Sequence, residues 1–313
     1  MALEEQQGHL HSLLVLWPRV APVMDESWLA ESRRPEPTYL AMLDILGFRE
    51  LVAQQGPEVV HSILRRQRLD FDFPGEGPHP MDCEAVMFSD TILMWPRAAG
   101  VEGLVDLVEA VGWQLASSIS TGVLLRGAIV SDELFVSSDR STYFGKGVVR
   151  AYDLEQGQLW GGAIVDGQTI GHSDEEARVL DGLRLGRRLR EHRVAWRSNP
   201  SPRLQLCVEW PTYLSVSEEH LRLRMKGIMT RHTEDGLARQ HETMDFFRLC
   251  TSSTADLDPF VARRLRDSCQ GLPGHAALVE RLLKMEQPIF ASKAVRSIGE
   301  NDGETNMPSP NVA

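Results

Sequence analysis

The chain has 313 residues, 42% hydrophobic and 25% charged, so it can bury a real core, and neither wholesale disorder nor a fibrous architecture fits it. Its 33 Lys and Arg against 44 Asp and Glu give a formal charge of -11, which repels a polyanion and excludes nucleic acid as an expected partner. Cys83, Cys207, Cys250 and Cys269 lack any CxxC or zinc spacing, Glu4 and Glu5 stand where a leader would be basic, and no apolar run nears the ~20 residues that cross a bilayer; a reduced, cytoplasmic protein without a membrane span is expected.

Residues 1–36 read as an N-terminal arm, closed by SRRPEPT, whose prolines break any helix. From Tyr39 the run YLAMLDILGF predicts a buried strand ending in a turn at Gly47. Phe48 to Arg66 reads as helical, interrupted at Gly56-Pro57, and the Pro- and Gly-containing stretch 68–80 reads as a loop. CEAVMF and TILMW flank Ser89-Asp90, the pattern of a β-hairpin. Over Val101 to Ile119, Leu104, Val105, Val108, Val111, Leu115 and Ile119 recur at steps of three and four, which predicts an amphipathic helix. GVLLRGAIV follows as a strand, ELFVS as its continuation, then a glycine-bounded turn at FGKG and another helix.

The order β, α, β, β, α, β, α is the split βαβ arrangement of ferredoxin-like α+β folds, and it assigns 37–170 to one such domain. Beyond it, 174–196 reads as helix, 204–216 as strand with a break at Pro211, and 257–286 as further helices. Residues 171–296 are therefore expected as a mixed, partly helical C-terminal extension, and the polar stretch 297–313 as a disordered tail.

Two aspartates stand out by position. Asp44 interrupts the apolar strand, and Asp90 sits at the hairpin tip. A carboxylate in a buried strand needs a cation or a strong hydrogen-bond partner, and carboxylates on neighbouring strands suit Mg²⁺ or Mn²⁺. Equally, Asp44 could cap the next helix and Asp90 simply make the turn.

LDILGF at 43–48, FSDTIL at 88–93, LLRGAIV at 124–130 and FGKGVVRAYDLE at 144–155 stand in the order seen in class III nucleotidyl cyclase catalytic domains, which this chain resembles over about 39–170. The resemblance implies a metal-dependent enzyme that cyclises a nucleoside triphosphate and releases pyrophosphate, as a homodimer with shared active sites. It implies two divalent cations, Mn²⁺ or Mg²⁺, on Asp44, Asp90 and the Ile45 carbonyl, and a Gly47-Phe48 turn that meets the triphosphate.

Departures from the family point further. Where purine-specific members carry a base-reading Lys, this sequence has Val86; where they carry an Asn and an Arg on the helix after FGK, it has Val149 and Asp153. The combination looks most like the bacterial pyrimidine (uridylate and cytidylate) cyclases of anti-phage signalling. That likeness implies UTP as substrate, cyclic UMP as a second messenger for a separate cyclic-nucleotide-binding effector, and a base pocket including Val86 and Thr142. A cytidylate or purine nucleotide cyclase, or an inactive nucleotide-binding homologue, is the alternative.

Charge stabilisation of the phosphates falls to Arg126 or Arg150. Arg126 reads equally as a buried ion-pair partner, Arg150 as an exposed helix residue, and Lys146 as a surface lysine. The arginines at 184, 187, 188, 190, 193 and 197 read as a solvated helix face or, less simply, a site for an acidic partner. Tyr143-Phe144 reads as core or as a base-stacking pair, and neither His232 nor His241 makes an HExxH zinc motif.

Overall fold

The computed structural model describes residues 34, 38–72, 82–139, 141–214, 218–229 and 234–251, with a few isolated positions beyond. Strand β1 (Tyr39–Ile45) leads into α1 (Phe48–Gln54) and α2 (Pro57–Asp72), which are separated where Gly56-Pro57 was expected to break the helix. The hairpin β2 (Cys83–Phe88) and β3 (Thr91–Pro96) turns at Ser89-Asp90, and α3 (Gly100–Ser120) precedes β4 (Leu125–Ser131). A short ribbon, β5 (Phe135–Val136) and β6 (Tyr143–Phe144), precedes α4 (Lys146–Gly157) and β7 (Gly162–Val165). Then come α5 (Asp174–Leu185), β8 (Leu189–Trp196), β9 (Asn199–Val208), a 3-10 turn (Trp210–Tyr213), α6 (Glu218–Met229) and α7 (Glu234–Thr251).

Seven strands form one sheet in the order β2-β3-β1-β4-β7-β9-β8, antiparallel throughout except between β4 and β7. The first four strands have the ferredoxin-like arrangement that the element order implies. The sheet runs on past residue 170, because β9 and β8 pair onto β7.

Alternation along β1 sends its side chains to two layers. Tyr39, Ala41, Leu43 and Ile45 join the main core with α3, while Leu40 and Met42 join a smaller core with Trp95, Val130, Leu134 and Ala151. Asp44 has the parity of that second face, the one covered by α4 and the β5-β6 ribbon. Helix α3 is buried on nearly all sides. Its outer side meets the 3-10 turn, where an added Cβ on Gly112 would stand 2.5 Å from the Tyr213 ring, and Glu109 meets Arg188 at 3.4 Å.

Several sequence expectations need correction. Residues 189–196 form an edge strand rather than the end of a helix, because the chain reverses at Gly186-Arg187, with Arg187 at φ 56°, and β9 offers a pairing partner. The helix-forming Leu, Arg and Glu of this stretch yield to that pairing. ELFVS does not continue β4; Phe135 and Val136 pair with Phe144 and Tyr143 as a separate ribbon. Helix α2 runs to Asp72, into the stretch read as loop. The N-terminal arm, the helices at 257–286 and the tail lie almost entirely outside the described residues.

Helices α2 and α3 are joined by a buried amide network. Gln67 Oε1 accepts from Gln114 Nε2 at 2.7 Å and from Ser118 Oγ at 2.6 Å, and its Nε2 donates to Thr121 Oγ1 at 3.1 Å. Gln67→Ala removes all three bonds and takes from buried Gln114 Nε2 its acceptor, and should destabilise the fold by about 1–3 kcal/mol. Urea unfolding checks this; an unchanged midpoint would show that the network contributes nothing.

Candidate active site

The sheet register builds the acid centre. Asp44 lies between two cross-strand neighbours, Thr91 of β3 and Arg126 of β4. Thr91 Oγ1 donates to Asp44 Oδ1 at 3.4 Å, and Arg126 Nη2 stands 3.8 Å from Asp44 Oδ2. The hairpin tip is pulled against the end of β1, since the Ile45 N–H donates to the Asp90 carbonyl at 3.2 Å. Ser89 takes a positive φ of 54° to make that turn.

The Asp44 carboxyl is held at about 7, far above the ordinary carboxylate range. Burial is the largest cause, followed by the negative charge of Glu155 and Asp90, with Arg126 opposing and an Asp90 hydrogen bond adding to the rise. Two acidic residues thus stand close to each other in a part-buried place.

Arg126 is 2% exposed and Glu155 1% exposed. Arg126 Nε donates to Glu155 Oε1 at 2.5 Å, its Nη2 contacts the same carboxylate, and its Nη1 donates to the Gln158 carbonyl at 2.9 Å. Its guanidinium is therefore engaged inside the protein as a buried ion-pair partner, one of the two readings open from the sequence.

Gly47 takes φ +76° at the start of α1, a left-handed conformation suited to glycine. Phe48 follows it on α1, half-buried. Val86 packs in the second-face core together with Tyr143, whose ring lies 5.4 Å from that of Phe88. Thr142 is exposed, one residue before Tyr143, with its N–H donated to Ser137 Oγ at 3.0 Å.

Arg150 stands elsewhere, in the wall of an open cleft of about 690 Å³ that Phe144, Lys146, Val149, Asp153 and Gln168 also line. Its Nε pairs with Asp166, and its Nη2 donates to Gln168 Oε1 at 2.7 Å. Lys146 is largely exposed and sits 3.2 Å from Glu133. The fold thus gathers Asp44, Asp90, Ile45 and Arg126 at one place, and sets Arg150 with the departures Val149 and Asp153 at another.

The arginines at 184–197 do not form one helical face. Arg187 and Arg190 pair with buried Glu209, Arg188 with Glu109, and Arg184 with Glu191 and Asp181. These four serve the fold.

Sequence reading missed Thr91 and Glu155 as parts of the acid centre. The missed signal is Arg126 itself: a guanidinium within an apolar strand demands a buried acid, and AYDLE supplies one.

The residues suit a divalent cation on the chemistry of their donors. Two carboxylates and the Ile45 carbonyl are all hard oxygen ligands, and a cation would offset both the burial and the neighbouring negative charge that disfavour ionised Asp44. Among the described residues there is no group of three or more His, Cys, Asp or Glu side chains able to hold a metal, so an ion here would draw on main-chain or substrate oxygens as well.

No family model matches the chain, and no curated protein does. Among solved structures it is similar to the adenylyl cyclase CyaB from P. aeruginosa, at 13% identity over 55% of this chain and 93% of that one, with a TM-score of 0.37. It is also similar to the dimeric guanylyl cyclase domain of the RhoGC fusion protein from Blastocladiella emersonii, at 12% identity over 55% and 94%, with a TM-score of 0.38. A third is the guanylate cyclase domain of RhGC from Catenaria anguillulae in complex with GTP, at 12% identity over 55% and 95%, with a TM-score of 0.37. Likenesses at such scores decide nothing about the chemistry of this chain. None of the described helices is long and apolar enough to cross a membrane.

The acid centre sets a pH dependence for the metal-free protein. The native state keeps a proton on Asp44 up to about 7, whereas the unfolded chain loses it near 4, so stability falls as pH rises through that window. The effect is at most about 4 kcal/mol. With a chelator present, wild type should lose more stability between pH 5 and pH 8 than Asp44→Asn does. Parallel pH profiles from urea unfolding would contradict the assignment.

Proposed function

We propose that this protein is a nucleotidyl cyclase that converts UTP to 3′,5′-cyclic UMP and pyrophosphate. The observation that carries the reading is the convergence of Asp44 and Asp90 beside a main-chain turn, with Arg126 and Glu155 fixed beneath Asp44.

In this reading Asp44, Asp90 and the Ile45 carbonyl hold two divalent cations, Mn²⁺ or Mg²⁺. Bound there, such ions supply charge neutralisation of the triphosphate and activation of the ribose hydroxyl. The Gly47-Phe48 turn presents main-chain N–H groups to the triphosphate. The ribose 3′-hydroxyl gives up its proton to solvent as its oxygen attacks the α-phosphorus, the bond to the bridging oxygen of the β-phosphate breaks, and pyrophosphate leaves. Arg126 orients Asp44 from behind and adds positive charge to the centre.

The enzyme works as a homodimer with shared sites. Phe144 and Val149, exposed at 39% and 62%, line one open cleft, an apolar surface that favours association. Arg150 then serves the acid centre of the other subunit, stabilising developing charge on the phosphates. Apolar Val86, with Thr142 nearby in sequence to Tyr143, supports a small pyrimidine rather than a purine held by a lysine. The product acts in the cytoplasm as an anti-phage second messenger on an effector with a cyclic-nucleotide-binding domain.

Purified protein given ATP, GTP, CTP and UTP separately with Mn²⁺ should yield chiefly cyclic UMP by mass, with about ten- to hundredfold preference over CTP. Cyclic AMP or cyclic GMP as the main product refutes the base assignment; nucleotide binding without pyrophosphate release refutes catalysis. Asp44→Asn and Asp90→Asn should each lower turnover by at least ~100-fold. Specific activity should also fall on dilution below the dimer's dissociation constant, and its constancy down to a demonstrated monomer would remove the shared-site claim.

A further inference from the structure

None of the described side chains of helix α7 belongs to the acid centre, yet a buried series of contacts joins it to Arg126. Thr243 is 0% exposed, and its hydroxyl donates to the Arg239 carbonyl at 2.6 Å while accepting the Gly161 N–H at 2.8 Å. One turn along α7, Phe246 meets the fully buried Trp160 ring edge-on, with centroids 5.0 Å apart. Trp160 Nε1 donates to Gln158 Oε1 at 2.7 Å.

Gln158 is itself fully buried, and its side-chain polar atoms are all engaged. Its Nε2 donates to the carbonyls of Gly127 and Leu154, each at 2.9 Å, and its own carbonyl accepts from Arg126 Nη1 at 2.9 Å. Arg126 then stands beside Asp44 at 3.8 Å.

The segment between Gln158 and Gly162 has little room to absorb a shift. A Cβ on Gly161 would meet Leu124 side-chain carbons at 2.4 Å, so this backbone presses on the residue that leads into β4. In a close-packed interior, movement at Gly161 is passed on to Gln158 and β4 rather than dissipated.

We infer that α7 is a positioning element for the acid centre, acting through Thr243, Trp160 and Gln158 on Arg126. This rests on the reading of Asp44 and Asp90 as the metal-binding catalytic pair. None of Thr243, Trp160 and Gln158 touches substrate; they set where the Arg126 guanidinium stands behind Asp44. The segment after residue 170 thereby has a positioning task besides widening the sheet.

Spatial connection alone does not establish coupling, so the test separates positioning from plain stability. Thr243→Val keeps volume but leaves the Gly161 N–H unpaired, and Trp160→Phe removes the donor to Gln158. Gln67→Ala, in the α2-α3 network remote from this series, supplies a variant weakened in stability only. Binding of Mn²⁺ alone to the full chain, followed by electron paramagnetic resonance, should weaken about threefold to thirtyfold in Thr243→Val and Trp160→Phe. It should stay within about twofold of wild type in Gln67→Ala. In turnover the first two variants should lose kcat with KM for UTP little changed. The double variant should lose no more than the weaker-binding single one, as expected of one series.

Wild-type Mn²⁺ affinity in both Thr243→Val and Trp160→Phe overturns the role of α7 and leaves the acid centre standing. Absence of Mn²⁺ binding in wild type, both alone and with a UTP analogue that lacks the 3′-hydroxyl, overturns both.

Discussion

A buried arginine beneath a part-buried aspartate is the constraint around which the second face of the sheet is arranged. Arg126 has no access to water that could solvate its charge, and Glu155 from α4 supplies the compensating carboxylate. Breaking such a pair by removing one partner typically costs about 3–5 kcal/mol. The pair also fixes the register of α4 on β4, because Gln158, just past the helix, completes the donors of Arg126 and binds Gly127. Close approach at Gly127 matters as well: a Cβ there would meet the Met42 carbonyl at 2.3 Å, so β1 and β4 can bring Asp44 and Arg126 together only across a glycine.

The same arrangement explains why Asp44 is chemically unusual. Burial and two neighbouring carboxylates disfavour its charge, and Arg126, already claimed by Glu155, opposes this only in part. Such a group favours any ligand that brings positive charge. The main-chain bond from Ile45 to Asp90 keeps the second carboxylate in place, so the centre is organised before anything binds.

Much of this was readable in the sequence where a local rule and a tertiary demand agreed. LAMLDIL gave a strand with one misplaced charge, Ser89-Asp90 marked a two-residue turn, and the stripe from Leu104 to Ile119 gave α3. The edge strand Leu189–Trp196 was hidden because Leu, Arg and Glu favour helix, and only the partner strand β9 outweighs that preference. Thr91 and the series from Thr243 to Arg126 were hidden for another reason. Each depends on a contact between residues distant in sequence, such as the 82 positions between Gly161 and Thr243, and composition or periodicity carries no trace of such pairings.

Whether Asp44 and Asp90 hold a metal ion is tested most directly by where such an ion sits. Crystals grown with Mn²⁺ and a UTP analogue lacking the 3′-hydroxyl, measured at a wavelength that gives anomalous signal from manganese, locate the ion without reliance on turnover. Anomalous density is expected in contact with the carboxylates of both Asp44 and Asp90 and with the triphosphate. Density confined to other residues, or a triphosphate bound away from both aspartates, would contradict the metal-binding role of the pair.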